Sequence, residues 1–380
     1  MNQSKTISYS RFFFYIVVII TILKDISDWV YSFIGVVNIL ISLVAIFLLI
    51  SGFRVDRINN RIVYLILFLI LLNIIFVGSG FGSLLAMMVF CYVYLLTPNI
   101  HLRKKDDIVF FIGSLLFLVL YYFIDHGTFN DNAIALTFFM VGSFLTLYLD
   151  MKKILHLMLF GVIGLFIFYI IMKYDCRTDL AAFAIYVLLR LTPNNLLKNK
   201  KLFIILLICL TVGNLVYVYV YMSMFGGLID FTSFDQFSRS FSDKTFFSGR
   251  EQIWGDLLDG LHSNPLLGTG SNIKIDFFNG GMLNVHNSML TFYALYGFPV
   301  GILSTILIIR TVLPLHQYID IPIVKNSFAC YASFLLIGFN ETIIQADPFR
   351  CMIPIILAYS AINRIIRTKQ QAILPDGLSS

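Results

Sequence analysis

Charge is the scarcest resource in this chain. Only 13% of its 380 residues are Asp, Glu, Lys or Arg, against 59% that are hydrophobic. So few charges cannot cover an aqueous surface of this size, which excludes a water-soluble globular fold and makes lipid the solvent. Cysteine is also sparse. The five cysteines include no C-x-x-C pair, and Cys91, Cys209 and Cys330 fall inside apolar runs, which argues against a disulfide framework or a thiolate metal site. No H-E-x-x-H, Walker or G-x-S-x-G sequence is present. The apolar runs lack the period-two alternation of barrel strands, so a closed β-barrel is excluded. Their interiors hold almost no charge, which argues against an ion-coupled transporter built on midplane carboxylates.

What remains is a series of apolar runs of spanning length. Twelve are expected, at 11–23, 29–50, 62–77, 81–96, 108–124, 133–149, 154–172, 180–191, 202–225, 288–309, 326–344 and 352–366, the first and eighth being short. No small-residue cleavage site follows the first run, so it reads as a span rather than a removed signal. The fold expected is an all-α polytopic membrane protein of about twelve transmembrane helices with one large extracytoplasmic loop. Its parts are an N-terminal bundle (1–225), the loop (226–287), a C-terminal bundle (288–368) and a polar, disordered tail (369–380).

With the N-terminus placed in the cytoplasm, most of the 27 Lys and Arg fall at cytoplasmic ends, the bias that the positive-inside rule requires. The acids run the other way, and the long loop then lies outside. Arg177, Arg239, Lys244, Arg250, Lys274 and Arg350 are cations on the face where the chain otherwise avoids them. For Lys244 and Lys274, tolerance of charge in a long loop suffices as a reason. For Arg177 and Arg250, beside apolar spans, a bound anion is the alternative.

The loop concentrates the polar chemistry. Ser248-Gly249-Arg250-Glu251 has capping-box spacing, with Ser248 as N-cap. An amphipathic helix follows, with Ile253, Trp254, Leu257, Leu258 and Leu261 on one face and Glu251, Gln252, Asp256 and Asp259 on the other, ended by Asn264-Pro265. It would lie on the outer leaflet or against the bundle. Arg250 in its first turn either joins the helix start in an anion site or pairs with an acid such as Asp256. Leu266-Leu267-Gly268-Thr269-Gly270 is a glycine turn through which backbone can closely approach a ligand or another segment. His286-Asn287-Ser288 opens the tenth span. His286 is a candidate general base with Asn287 and Ser288 orienting it or a sugar hydroxyl, unless Asn287 or Ser288 simply caps the helix. Glu341, at the end of the eleventh span, costs about 2–3 kcal/mol if it lies within hydrocarbon, so it pairs with a cation, faces a water-filled cavity or is solvated at the helix end.

The run S-G-R, Trp254, N-P-L-L-G-T-G and then H-N-S with a glycine-containing span resembles the signature region of the O-antigen ligase and polymerase superfamily. Cys176-Arg177-Thr178 is similar to that family's Ser-Arg-Thr/Gly motif, with Cys176 departing from the usual Ser. The resemblance implies a GT-C-like membrane glycosyltransferase that takes a polyprenyl-diphosphate-linked glycan as donor and needs neither nucleotide nor metal cofactor. It implies that Arg177 and Arg250 bind the diphosphate and that His286 acts on the acceptor hydroxyl. Asn287, Ser288, Trp254, Gly268, Gly270 and Glu341 complete the expected substrate-binding set. The activity expected is polymerisation of lipid-linked repeat units of a capsular, exo- or O-antigen polysaccharide at the bacterial inner membrane. The implied partners are the lipid-linked donor and acceptor, a chain-length regulator and a flippase, with no nucleic acid. A ligase transferring finished glycan to lipid A core or protein, and a non-catalytic lipid-linked-sugar flippase, are the competing readings. Reporter fusions after Arg61 and Met151 should signal cytoplasm and one after Asp235 the outside. A cytoplasmic signal at Asp235 overturns this topology.

Overall fold

A computed structural model of the chain describes residues 11–15, 18–19, 56–124, 131–226, 250–271 and 285–373. Among these, every regular element is a helix: α1 (Arg57–Val77), α2 (Phe81–Leu96), α3 (Lys104–Phe123), α4 (Asp131–Thr146), α5 (Ile154–Lys173), α6 (Arg177–Leu191), α7 (Asn194–Lys198), α8 (Lys200–Phe225), α9 (Arg250–Ser263), α10 (Ser288–Val312), α11 (Pro322–Ile337), α12 (Ile343–Ala346) and α13 (Pro348–Ile373). Short 3-10 turns follow α2 and α10.

Seven of these elements are long and apolar enough to cross a membrane, namely α1, α2 with its 3-10 turn, α3, α5, α8, α10 with its 3-10 turn, and α13. The expected span 29–50 lies outside the described residues, as do 16–17 and 20–23 of the first expected span and Ser248 and Gly249 of the expected capping box. The helices matching spans 133–149, 180–191 and 326–344 are only 15 or 16 residues long. That is about 23 Å of helix, short of a hydrocarbon layer of about 30 Å. α4 and α11 are nearly enclosed by protein, and an enclosed helix can end in a turn at membrane depth because neighbouring chain, not lipid, meets its free backbone groups. α11 accordingly stops at Ile337, before the expected 344. α13 runs on to Ile373, past Lys369 where a disordered tail was expected.

Burial sorts the helices into two classes. α1 buries a single stripe, Asn59, Val63, Ile66, Ile70 and Asn73, at helical spacing. Its other faces expose large apolar side chains such as Phe76 at 71%. α5 does the same, with Leu155 and Leu165 both at 71%. Contiguous exposed hydrocarbon of this kind is a lipid-facing surface. α10, α11 and α13 form the interior, where α11 packs on α13 and α6, and α10 on α1 and α8. At the opposite end from α9, Asp106 and Asp107 in the first turn of α3 anchor it, Asp106 to Arg11 (2.7 Å) and Asp107 to Arg364 (2.6 Å).

α10 is broken in the middle. Gly297 has φ +86° and Pro299 follows it. Pro299 has no N–H to give the Leu295 carbonyl, and the Phe298 N–H turns away to the Pro265 carbonyl at 2.9 Å. The stranded carbonyls are taken up by the glycine turn. Thr269 N donates to Ala294 O at 2.8 Å, and Gly270 N to Leu295 O at 2.9 Å. Asn73 of α1 adds a second bond to Leu295 O at 3.0 Å and also donates to the Leu267 carbonyl. Ser79 and Ser271 then tie the turn to the start of α2, with Ser271 N donating to Ser79 Oγ at 2.9 Å. The L-Y-G-F-P and N-P-L-L-G-T-G segments are thus two halves of one joint.

Gly268 makes the joint possible. Its φ is +72°, and a Cβ there would lie 2.5 Å from Ala294 O and 2.6 Å from Gly297 N. Gly268→Ala should therefore lower stability by about 2–4 kcal/mol, combining left-handed strain with overlap against backbone. Thermal unfolding in detergent reads this as a lower Tm, and an unchanged Tm would show that the joint is dispensable.

Candidate active site

Five elements meet near α9: the start of α6, the last turns of α8, α9 itself, the start of α10 and the turn between α11 and α12. α9 buries Ile253, Trp254, Leu257 and Leu261 and exposes Gln252, Asp256 and Asp259, so the amphipathic helix lies against the bundle. Trp254 is fully buried and makes edge contacts with Tyr221 (centroids 4.9 Å) and Tyr217 (6.0 Å) of α8. Its indole N–H donates to the Val285 carbonyl at 2.8 Å, the partner that a buried Trp needs.

That bond fixes one side of His286, whose φ is +50°. A non-glycine residue in the left-handed region costs on the order of 1–3 kcal/mol and persists only where its surroundings enforce it. The other side is enforced by Asn287 and Ser288. Asn287 caps α10 by accepting from Leu290 N (2.8 Å), while its Nδ2 donates to Phe339 O (2.9 Å). Ser288 N donates to Gly338 O (2.7 Å), and its hydroxyl donates to Glu341 O (2.7 Å) and accepts from Ile344 N (3.2 Å). His286 and the 338–344 turn are thereby clamped face to face.

The clamp sets Glu341 between an imidazole and a guanidinium. One carboxylate oxygen, Oε2, lies 3.3 Å from His286 Nδ1, and the other, Oε1, lies 3.6 Å from Arg250 Nη2. All three side chains are half-buried. Arg177, the first residue of α6 and also half-buried, completes the charge pattern. Its charge and that of Arg250 both reach the Tyr217 phenol, and Tyr217 donates to Asn340 Oδ1 at 3.1 Å. Arg177, Arg250, His286 and Glu341, expected from sequence, are therefore gathered in one place. Glu341 takes the cation-paired alternative.

The other expected contacts sit differently. Trp254, Asn287, Ser288, Gly268 and Gly270 are buried, and their close neighbours are protein: the glycines lie against α10 and the end of α1, Asn287 and Ser288 against the 338–344 turn, and Trp254 against α8. In this structure these groups are enclosed by protein. Arg350, read as an exceptional outer cation, is buried and paired with Asp347 at 3.0 Å.

Two residues were missed. Tyr217 lies one turn before Tyr221 on the face of α8 that meets Trp254, a polar pair at helical spacing within an apolar run. Asp179 lies two residues beyond Arg177, just ahead of the apolar stretch 180–191, and is 1% exposed. Burial pushes its carboxyl up to about 7; a hydrogen bond with the Cys176 thiol opposes this and the Glu341 charge adds to it. The helix-start dipole favours an anion there by about 0.3–1 kcal/mol, less than a desolvation cost of several kcal/mol. Among the described residues, no group of three or more His, Cys, Asp or Glu is placed to hold a metal ion.

Residues 177–304 match the family model described as O-antigen ligase. The match begins at Arg177 and takes in Arg250 and His286, leaving Glu341 beyond it. No curated protein and no solved structure matches the chain. Removing the clamp tests the geometry. Asn287→Ala leaves the Leu290 N–H and the Phe339 carbonyl unpaired and should cost about 2–3 kcal/mol, whereas Asn287→Asp keeps the cap, loses the tether and should fall between. Thermal unfolding of the three proteins gives the order, and equal Tm values would refute it.

Proposed function

We propose that this chain, a member of the O-antigen ligase and polymerase superfamily, is a membrane glycosyltransferase that polymerises polyprenyl-diphosphate-linked oligosaccharide repeat units on the extracytoplasmic face of the inner membrane. The observation that carries this reading is the single carboxylate, Glu341, facing His286 through one oxygen and Arg250 through the other. A base and an anion-binding cation are thereby held at a fixed spacing, which a transfer from a diphosphate leaving group requires.

The acceptor hydroxyl attacks the anomeric carbon of the donor glycan as the bond from that carbon to the diphosphate oxygen breaks. The proton passes to His286 Nε2, because Nδ1 is turned to Glu341. Glu341 holds the ring in orientation and stabilises the imidazolium that forms, as a carboxylate does for a catalytic histidine. The bonding electrons leave on the polyprenyl diphosphate, whose charge Arg177 and Arg250 neutralise. At 3.6 Å the Arg250–Glu341 pair is loose, so Arg250 can exchange part of that contact for a phosphate oxygen at small cost. Asn287, Ser288, Trp254 and the Gly268–Gly270 turn hold these groups in register.

The matched family description favours the ligase reading, in which finished glycan passes to lipid A core or protein, and glycan analysis separates the two. In a deletion strain with matched expression, the wild type should restore long chains, while Arg250→Ala and His286→Ala should each reduce transfer at least about 100-fold and leave single capped units. Long glycan stranded on the polyprenyl carrier would identify a ligase. Normal chains from both variants would remove the site, and transbilayer movement of lipid-linked sugar without lengthening would identify a flippase.

A further inference from the structure

The site contains a second carboxylate that the transfer step leaves unused. Asp179 is 1% exposed, and its Oδ2 is buried with no hydrogen-bond partner among the described residues. Two titratable groups act on it: the Cys176 thiol from its own helix start, by a hydrogen bond, and Glu341 from the turn after α11, by charge. α4, α5 and α11, which also pack on α6, bring no titratable group to bear on it, Lys325, Cys330 and Tyr331 of α11 included. Arg177 lies two residues away, and Arg250 and His286 lie across Glu341.

We propose that Asp179 is a positioning residue that holds a proton while Glu341 holds the charge, and that its ionisation weakens binding of the anionic donor. This inference rests on the reading of the site as one that takes a diphosphate-linked donor. Two carboxylates within electrostatic reach do not both ionise freely, and the one with fewer compensating partners keeps the proton. Glu341 has a guanidinium and an imidazole; Asp179 has a thiol and a vacant oxygen. With Asp179 neutral, one negative charge orients the His286 imidazole and the Arg250 guanidinium, and Arg177 and Arg250 retain positive charge for the diphosphate. With Asp179 ionised, a second negative charge stands beside the place where the diphosphate must sit. The sealed position keeps water from screening that charge. The burial that raises its carboxyl toward neutrality puts this change within the physiological range.

The test is binding of a short-chain polyprenyl diphosphate to the purified full-length chain in nanodiscs, wild type against Asp179→Asn, from pH 6 to 9. Comparison at equal pH cancels the ligand's own ionisation. The two proteins should bind equally at pH 6, and at pH 8.5 the variant should bind about tenfold more tightly, one unit of differential protonation. In turnover the difference should appear in the donor KM and leave kcat unchanged. Equal affinity at every pH, weaker binding by the variant at pH 6, or failure of the variant to fold would each overturn the proposal, since each requires something other than a neutral Asp179. Absence of diphosphate binding by the wild type, with Arg250→Ala indistinguishable from it, would instead overturn the donor reading on which the proposal rests.

Discussion

The structure depends on how the broken helix α10 meets its backbone hydrogen-bonding requirement. In a low-dielectric interior, carbonyls freed by Gly297 and Pro299 would each cost a few kcal/mol unpaired. The Leu266–Gly270 turn supplies the missing donors, which obliges the chain leaving α9 to press against α10 wherever α10 breaks. The position of α9 follows from that obligation, and with it the placement of Trp254 under Val285 and of Arg250 near Glu341. A turn that approaches this closely must have glycine at its left-handed positions, so the glycines serve the fold and only through it the chemistry.

A second consequence concerns His286. Its backbone is strained, and the strain is held from both sides by groups that are themselves satisfied: the Trp254 indole on Val285, and Asn287 with Ser288 on the 338–344 turn. The same bonds fix Glu341, because Ser288 grips its carbonyl while the side chain is left to face His286 and Arg250. Imidazole and carboxylate are therefore aligned by backbone contacts, not by their own attraction. Such prior alignment would remove reorganisation from the proposed transfer step, and this is the larger part of what fixed dipoles contribute to catalysis.

The apolar runs that became helices were legible because length and hydropathy alone report a lipid-exposed span, and α2 begins and ends at the residues expected. The short interior helices were bounded less well: α11 ends at Ile337 because the chain turns there to meet Ser288, a contact between residues some fifty positions apart that hydropathy does not encode. The arginines, His286 and Glu341 stood out as charge and polarity beside apolar sequence, and they proved to be neighbours. Asp179 did not stand out, since an acid beside an arginine in a short polar link reads as a solvated pair, and only tertiary packing seals it. Asn73 carried a usable signal as an amide inside an apolar span, where an unpaired polar group is costly and so implies a partner.

In the proposed transfer, the residues gathered around Glu341 act on the anomeric carbon, its diphosphate and one acceptor proton. Those atoms are the same whether the acceptor is another lipid-linked repeat unit, a lipid A core or a protein. A polymerase and a ligase can therefore share Arg177, Arg250, His286 and Glu341 without difference, and geometry at these four positions carries no information about which acceptor is used. On the proposed mechanism the distinction lies in which acceptor hydroxyl is brought to His286. This is why the family match over residues 177–304 and the site geometry together support a reaction class and stop there, and why the acceptor is read from the glycan produced.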